Sequence, residues 1–303
     1  MKIAFIVPYF GKIPVWFSTF LISCERNPSI DWLVFTNCDF PEKKPNNVLF
    51  FKSSLQELQL FASIKMNFEV ALNNTRKLCD LKPAYGDVFD NYLVTYDFWG
   101  FCDVDIVWGD IRKFITDDML EDYDIITTLK GMISGHFSLL KNTKSLVNLY
   151  RKEGLYEVIF KDSEHRRFDE VGFSKIVKND RLKVYWKDEI IENGIESEAH
   201  QEYYLDRWLW DDGKIVNTKT KKEFMYLHFI NWKRTMSYNE VKYSEPLPNQ
   251  FFISYNGMHF ERHSMFAHVL NTIKNVFNGY YVRMERKLYV RKFNKFIVKF
   301  KRN

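Results

Sequence analysis

Four short runs in this sequence are apolar without any polar alternation: Lys2-Ile3-Ala4-Phe5-Ile6-Val7 closed by Pro8, Asp31-Trp32-Leu33-Val34-Phe35-Thr36, Val48 to Phe51, and Phe98-Trp99-Gly100-Phe101-Cys102. A strand that alternates has one face in water; a strand that does not must be covered on both faces. The stretches between the runs supply the cover. A helix is expected across Pro14 to Cys24, and Ser54-Leu55-Gln56-Glu57 is a capping box opening a second helix with apolar residues at Leu55, Leu58, Phe61, Ala62 and Ile64. Buried strands alternating with amphipathic helices predict an α/β chain with a doubly wound, mostly parallel sheet flanked by helices. With 303 residues the chain can bury a large core, and 46% hydrophobic against 27% charged residues excludes a disordered or fibrous protein. The aromatic content of 17% reads first as bulky core filling and second as stacking platforms for sugars or bases.

Charge is unevenly distributed. The net charge is +5, but residues 274–303 carry ten Lys or Arg against the single acid Glu285, which leaves the preceding chain slightly negative. Basic residues interleaved with Tyr280, Tyr281, Leu288, Tyr289, Phe293, Phe296 and Phe300 have the composition of a segment that lies on anionic lipid. The acidic main body and the lack of any recognisable binding module argue against a nucleic-acid partner. The four cysteines Cys24, Cys38, Cys79 and Cys102 form no CxxC pair and sit in apolar stretches, as reduced thiols do. No signal peptide and no membrane-spanning window is apparent, so a cytoplasmic location is expected, peripheral on the membrane through the basic segment.

The fourth apolar run leads directly into Asp103-Val104-Asp105. In open α/β sheets ligands bind beyond the carboxyl ends of the strands, so this carboxylate pair is placed for function. A two-residue spacing in extended chain turns both side chains to one side, and oxygen-only ligands suit Mn2+ or Mg2+, ions that bridge phosphate oxygens. A second Asp-x-Asp, Asp122-Tyr123-Asp124, precedes a strand and is read as a turn or cap. The absence of a P-loop and of a Gly-x-Gly-x-x-Gly fingerprint excludes the common kinases and dinucleotide oxidoreductases and leaves a sugar nucleotide as the diphosphate.

The segment from Cys79 to Gly86, the run Asp97 to Asp105 with Gly109-Asp110, the stretch Ser134-Gly135-His136 to Asn142, and Phe168-Asp169-Glu170 together resemble bacterial sugar transferases with the GT-A fold, of the kind found in capsule and surface-polysaccharide clusters. The resemblance spans roughly residues 1–235. It implies a GT-A-like catalytic domain over 1–260, with a nucleotide-binding half at about 1–110 and an acceptor-binding half at about 111–260, followed by a basic amphipathic helical extension over 261–303. It also implies a metal on Asp103 and Asp105, with Asp103 reaching the sugar or ribose. Tyr226-Leu227-His228 and the following Lys233 resemble the late strand from which retaining members supply a third metal ligand and a diphosphate-binding lysine. Tyr9 would stack on uracil, Thr36 would bond the base, and Asp80 and Lys82 fall where similar enzymes contact ribose and phosphate. His136 marks the acceptor side, and Asp169 or Glu170 would serve as catalytic carboxylate. His259, His263 and His268 are spaced too irregularly for a helix-borne metal site and are read as structural.

The function this implies is a metal-dependent hexosyltransferase using a UDP-sugar donor and a glycan or polyprenyl-linked acceptor. Two alternatives stay open at this point: a non-catalytic carbohydrate or nucleotide-binding protein on the same scaffold, and a metal-dependent nucleotidyltransferase or phosphohydrolase.

Overall fold

The computed structural model describes residues 1–186, 203–283 and 286. The chain opens with β1 (Ile3–Tyr9), α1 (Phe17–Glu25), β2 (Ile30–Thr36), β3 (Val48–Lys52) and α2 (Leu55–Met66). After short helical turns over 75–93 come β4 (Phe98–Cys102), β5 (Ile106–Trp108), β6 (Ile125–Thr127), β7 (Phe137–Lys141) and β8 (Val184–Tyr185). The main sheet has seven strands in the order β3-β2-β1-β4-β7-β6-β8. All its pairs are parallel except those of β7 with β4 and β6.

The unalternating runs behave as expected. Along β1, Ile3, Phe5 and Val7 enter one core with Phe17, Phe20 and Leu21 of α1, while Ala4 and Ile6 enter the opposite core with Leu58, Ala62 and Met66 of α2. The same division separates Trp32 and Val34 from Leu33 and Phe35, and Phe98 and Cys102 from Trp99 and Phe101. The first strand runs on through Pro8 to Tyr9. Pro8 lies beyond Ile6, the last residue of β1 paired with β4, so its missing N–H removes no bond to that strand. The capping box at Ser54 is formed in both directions, Glu57 N–H to Ser54 Oγ at 3.1 Å and Ser54 N–H to Glu57 Oε2 at 2.6 Å. Ile64 departs from the expected buried face and is 68% exposed, because the inward stripe follows Leu58, Ala62 and Met66. Asp124 has a structural role, though a long-range one rather than the turn or cap expected: its carboxylate accepts the Lys183 N–H and its own N–H donates to Lys183 O, which seats β8 beside β6.

The sequence pattern did not point to a second sheet. It consists of β9 (Trp208–Asp211), β10 (Lys214–Asn217), β11 (Glu223–Phe224), β13 (Tyr238–Asn239), β14 (Gln250–Ser254) and β15 (Gly257–His259), in the order β11-β10-β9-β14-β15-β13. Between them in the chain, β12 (Tyr226–His228) pairs antiparallel with β5 in a separate two-stranded sheet, just beyond the Asp103-Val104-Asp105 turn that follows β4. Trp208, Trp210, Ile215, Phe224, Trp232, Phe251 and Met258 build the core of the second sheet, and Ile22 of α1 and Trp16 at its N-terminal end contribute to it. α1 is thus buried on two sides, and its buried Thr19 and Ser23 give their hydroxyls to the Trp16 and Phe20 carbonyls.

A helix capped by Ser264, Met265–Phe277, follows the second sheet. Its Asn271 and Asn275 side chains donate to Tyr203 O at 2.7 and 3.0 Å, and on its outer side Phe266 and Phe277 stand 70% and 86% exposed. Of the basic segment over 274–303, positions 284, 285 and 287–303 lie outside the described residues. Among the described residues no helix is long and apolar enough to cross a membrane.

At Gly100 the main sheet leaves no room for a side chain. A Cβ there would stand 2.4 Å from Ser138 O of the neighbouring strand, a backbone atom with no room to move. Gly100→Ala is expected to lower the stability of the chain by about 1–3 kcal/mol, read as a shift in the urea midpoint. An unchanged midpoint would show that β4 and β7 can separate freely.

Candidate active site at the ends of β1 and β4

In the order β3-β2-β1-β4, the chain leaves β1 on one side toward β2 and returns on the other as β4, so the crevice between the carboxyl ends of β1 and β4 is the topological switch point. A cleft of about 320 Å3 lies there, lined among others by Pro8, Tyr9, Cys79, Lys82, Asp103 and Lys233. A second cleft, of about 410 Å3, is lined among others by Gly135, His136, Asp169, Glu170, His228 and Ile230. Cys79, Lys82 and Asp103 belong to both. They form the wall between the two spaces.

Strand register delivers the third candidate ligand. The antiparallel pairing of β12 with β5 sets His228 opposite Ile106, the residue after Asp105. Ligand atoms of Asp103, Asp105 and His228 lie within 4.8 Å of one another. Asp105 is buried, with its Oδ2 2.7 Å from Lys233 Nζ and 3.3 Å from His228 Nε2. Lys82 is buried as well, its Nζ 2.7 Å from Asp103 Oδ1 and 2.6 Å from Gly135 O. Burial works against ionisation of both carboxylates. The Lys82 ammonium beside Asp103, and the His228 ring and Lys233 ammonium beside Asp105, override it and hold both below the usual carboxylate range. His136 stacks on His228 with ring centroids 4.1 Å apart and bonds Tyr226 Oη at 2.9 Å, so one β12 residue steadies the ring that supports the next ligand.

Asp169 faces the second cleft from a single π turn, Phe168–Gly172, and is 4% exposed. Desolvation dominates its environment and pushes its carboxyl up to about 7 despite the nearby Lys82. Glu170 is held by Arg167, Nη2 to Oε2 at 2.6 Å. Gly135 is what admits the pair, because a Cβ there would stand 2.5 Å from Asp169 Oδ2 and 3.2 Å from Glu170 Cγ. Neither Gly135 nor Cys79 stood out in the sequence as a site residue. Both appear in the sequence only within stretches that resemble GT-A sugar transferases, without a role of their own.

Two expected contacts are corrected. Asp80 is fully buried and takes Lys77 Nζ at 2.9 Å together with the backbone N–H groups of Arg166 at 2.8 Å and Phe168 at 2.7 Å, so it clamps the segment leading to Asp169 and offers nothing to a ribose. Thr36 is buried at the end of β2, where its Oγ1 accepts the Cys38 N–H at 3.1 Å and closes a turn rather than facing a base. Tyr9 lies on the first cleft, its hydroxyl donating to Lys12 O at 2.7 Å.

Residues 5–262 match the family model described as a family of unknown function, DUF6625. The chain belongs to this family. No curated protein matches its sequence. Among solved structures, this DUF6625 member is similar to the glycosyltransferase GlyE of Streptococcus pneumoniae TIGR4, with a TM-score of 0.36 and 13% identity over 65% of this chain and 48% of that one, so it spans about half the length of GlyE. The galactosyltransferase LgtC, determined in complex with donor and acceptor sugar analogues, gives a TM-score of 0.34 and 12% identity over 61% of this chain and 72% of its own. A197 from STIV gives 0.30 and 12% identity over 74% and 94%.

The raised carboxyl of Asp169 fixes a sign for the stability of the fold. The unfolded chain loses this proton near pH 4 and the folded chain near pH 7, so the folded state binds more protons between the two and its stability falls as pH rises through that window, levelling off above it. Asp169→Asn is expected to leave stability little changed at pH 4 and to raise it above pH 7 by a few kcal/mol at most. Urea midpoints of both chains at pH 4.5 and pH 8 measure this. An equal difference at the two values would refute the assignment.

Proposed function

We propose that this protein is a metal-dependent glycosyltransferase that moves a hexose from a UDP-sugar to a hydroxyl of a glycan or polyprenyl-linked acceptor in surface-polysaccharide synthesis. The observation that carries the reading is the wall shared by the two clefts: a nucleotide diphosphate in the first and an acceptor in the second would meet at Asp103. The likeness of the sequence to GT-A sugar transferases points the same way.

Asp103, Asp105 and His228 fit a divalent cation such as Mn2+ or Mg2+, since two ionised carboxylates and an imidazole converge within 4.8 Å and are already balanced by lysines. When bound, such an ion neutralises negative charge on a departing diphosphate. The rest falls to the chain itself. Lys233, 39% exposed on the first cleft, is a point charge for phosphate, and the Tyr9 ring flanks the space a nucleobase would take. Lys82, by contrast, is committed to Asp103 and Gly135 O, and so positions the wall rather than binding substrate. Asp169 has the burial and the near-neutral proton affinity of a general base and faces the second cleft, where it would take the proton of the acceptor hydroxyl. Glu170, beside it, is tied to Arg167. His136 lines the same cleft and holds His228 in place.

The outer side of the helix Met265–Phe277 supports attachment to an anionic membrane surface. Phe266, Val269, Leu270, Ile273, Val276 and Phe277 form an exposed apolar stripe, and the basic segment follows it in sequence.

With Mn2+ present, a cognate UDP-sugar at a hundredfold excess over its Kd should stabilise the protein by about 2.7 kcal/mol, and Asp103→Ala or Asp105→Ala should abolish that shift while the fold persists. Intact UDP is the expected product. Pyrophosphate or inorganic phosphate would favour a nucleotidyltransferase or phosphohydrolase, and unchanged turnover in either variant would remove the metal from the reading. Replacing Phe266 and Phe277 together by Asp should release the protein from anionic vesicles in a sedimentation assay with donor hydrolysis near normal. Undiminished sedimentation would show that this face is not the anchor.

A further inference from the structure

The three histidines whose spacing fits no single helix converge in space. His259 ends β15, His263 follows in the connecting loop, His268 lies in the first turns of the helix Met265–Phe277, and all three surround the buried carboxylate of Asp206. None of the four lines either of the two clefts described above.

The two oxygens of Asp206 face different partners. Oδ2 accepts the backbone N–H of His263 at 2.8 Å and faces His268 Nε2 at 3.0 Å. Oδ1 lies 2.7 Å from His263 Nδ1 and 3.4 Å from His259 Nε2. A tetrahedral ion with bonds of 2.0–2.1 Å separates its ligand atoms by about 3.3 Å. Ligand atoms of Asp206, His259 and His263 all lie within 4.8 Å of one another, a spread that small side-chain shifts would close.

The groups behind these atoms are arranged as a metal's outer partners are. His259 Nδ1 is 2.6 Å from Glu261 O; a carbonyl only accepts, so the proton sits on Nδ1 and Nε2 carries the lone pair, which takes the Ser254 hydroxyl at 2.9 Å, a bond that an ion would replace, with Asp206 Oδ1 beyond it at 3.4 Å. His263, meeting Asp206 through Nδ1, has Nε2 3.4 Å from Tyr238 Oη. Ligand histidines that hand their other nitrogen to a carbonyl or hydroxyl are oriented and made more basic by it.

We propose that Asp206, His259 and His263 form a second metal site, nitrogen-rich and of the class that takes Zn2+, which clasps the start of the helix Met265–Phe277 onto the second sheet. His268 acts as a positioning residue by holding Oδ2, and water completes the coordination. Two imidazoles and one carboxylate separate this site chemically from the oxygen-dominated set at Asp103. Its role is structural. The helix it fastens carries the exposed apolar stripe, so the ion would fix where that stripe is displayed.

The test uses the full chain, stripped with a chelator and held in excess Mg2+ to occupy hard-ligand sites, and titrated with Zn2+ alone by calorimetry with metal content read by mass spectrometry. One Zn2+ per chain is expected, retained by Asp103→Ala, lost in His259→Gln and His263→Gln, and weakened about 10–100-fold in His268→Gln. Co2+ added to the unaltered chain should give the intense visible bands of a tetrahedral ion, a readout that does not depend on any variant folding. No stoichiometric Zn2+ and no such bands would overturn the proposal. So would Zn2+ binding that survives His263→Gln and disappears with Asp103→Ala, which would put the ion in the first cleft.

Discussion

The buried ammonium of Lys82 is the interaction on which the candidate active site depends. Taking a lysine out of water costs several kcal/mol unless its charge and its protons are matched. Here Asp103 supplies the charge and Gly135 O a further acceptor, so three segments distant in sequence are joined at one nitrogen: the helical turns over 75–93, the end of β4, and the turn before β7. Each of these carries something the clefts need. The turns bring Cys79, the strand end brings the carboxylate pair, and the glycine turn makes space for Asp169. The lysine keeps Asp103 ionised beside Asp105, whose own charge is held by His228 and Lys233.

What could be read beforehand and what could not follows from the range of the interactions. A strand buried on both faces announces itself over six consecutive residues, and so does a carboxylate pair at its end, which is why β1, β2, β4, Asp103 and Asp105 were legible. His228 became legible through a likeness of local sequence, but its placement beside Asp105 is a matter of register between β5 and β12, more than a hundred residues apart. Asp80 was misread because its partners are backbone N–H groups 86 and 88 residues further on, where no local pattern marks them. Thr36 was misread because a strand-terminal hydroxyl serves a turn as readily as a ligand.

The second sheet escaped for a different reason. Its strands are two to five residues long, too short for periodicity to register, and they are held by tryptophans and phenylalanines that read equally well as scattered core. The histidines around Asp206 escaped with it. A helical-spacing test asks whether ligands share one helix, whereas these come from a strand end, a loop and a helix start, and only the folded β9–β15 region brings them together.

The position of α1 has a thermodynamic consequence. Phe17, Phe20 and Leu21 belong to the core of the main sheet, and Trp16 and Ile22 to the core of the second. Neither core can be exposed without stripping one side of the same nine-residue helix, and a helix that short has little stability of its own. The two sheets are therefore expected to be halves of one cooperative unit, losing their cores together rather than in turn. A residue deep in the second sheet thus bears on the cleft at Asp103 through the shared equilibrium between folded and unfolded chain.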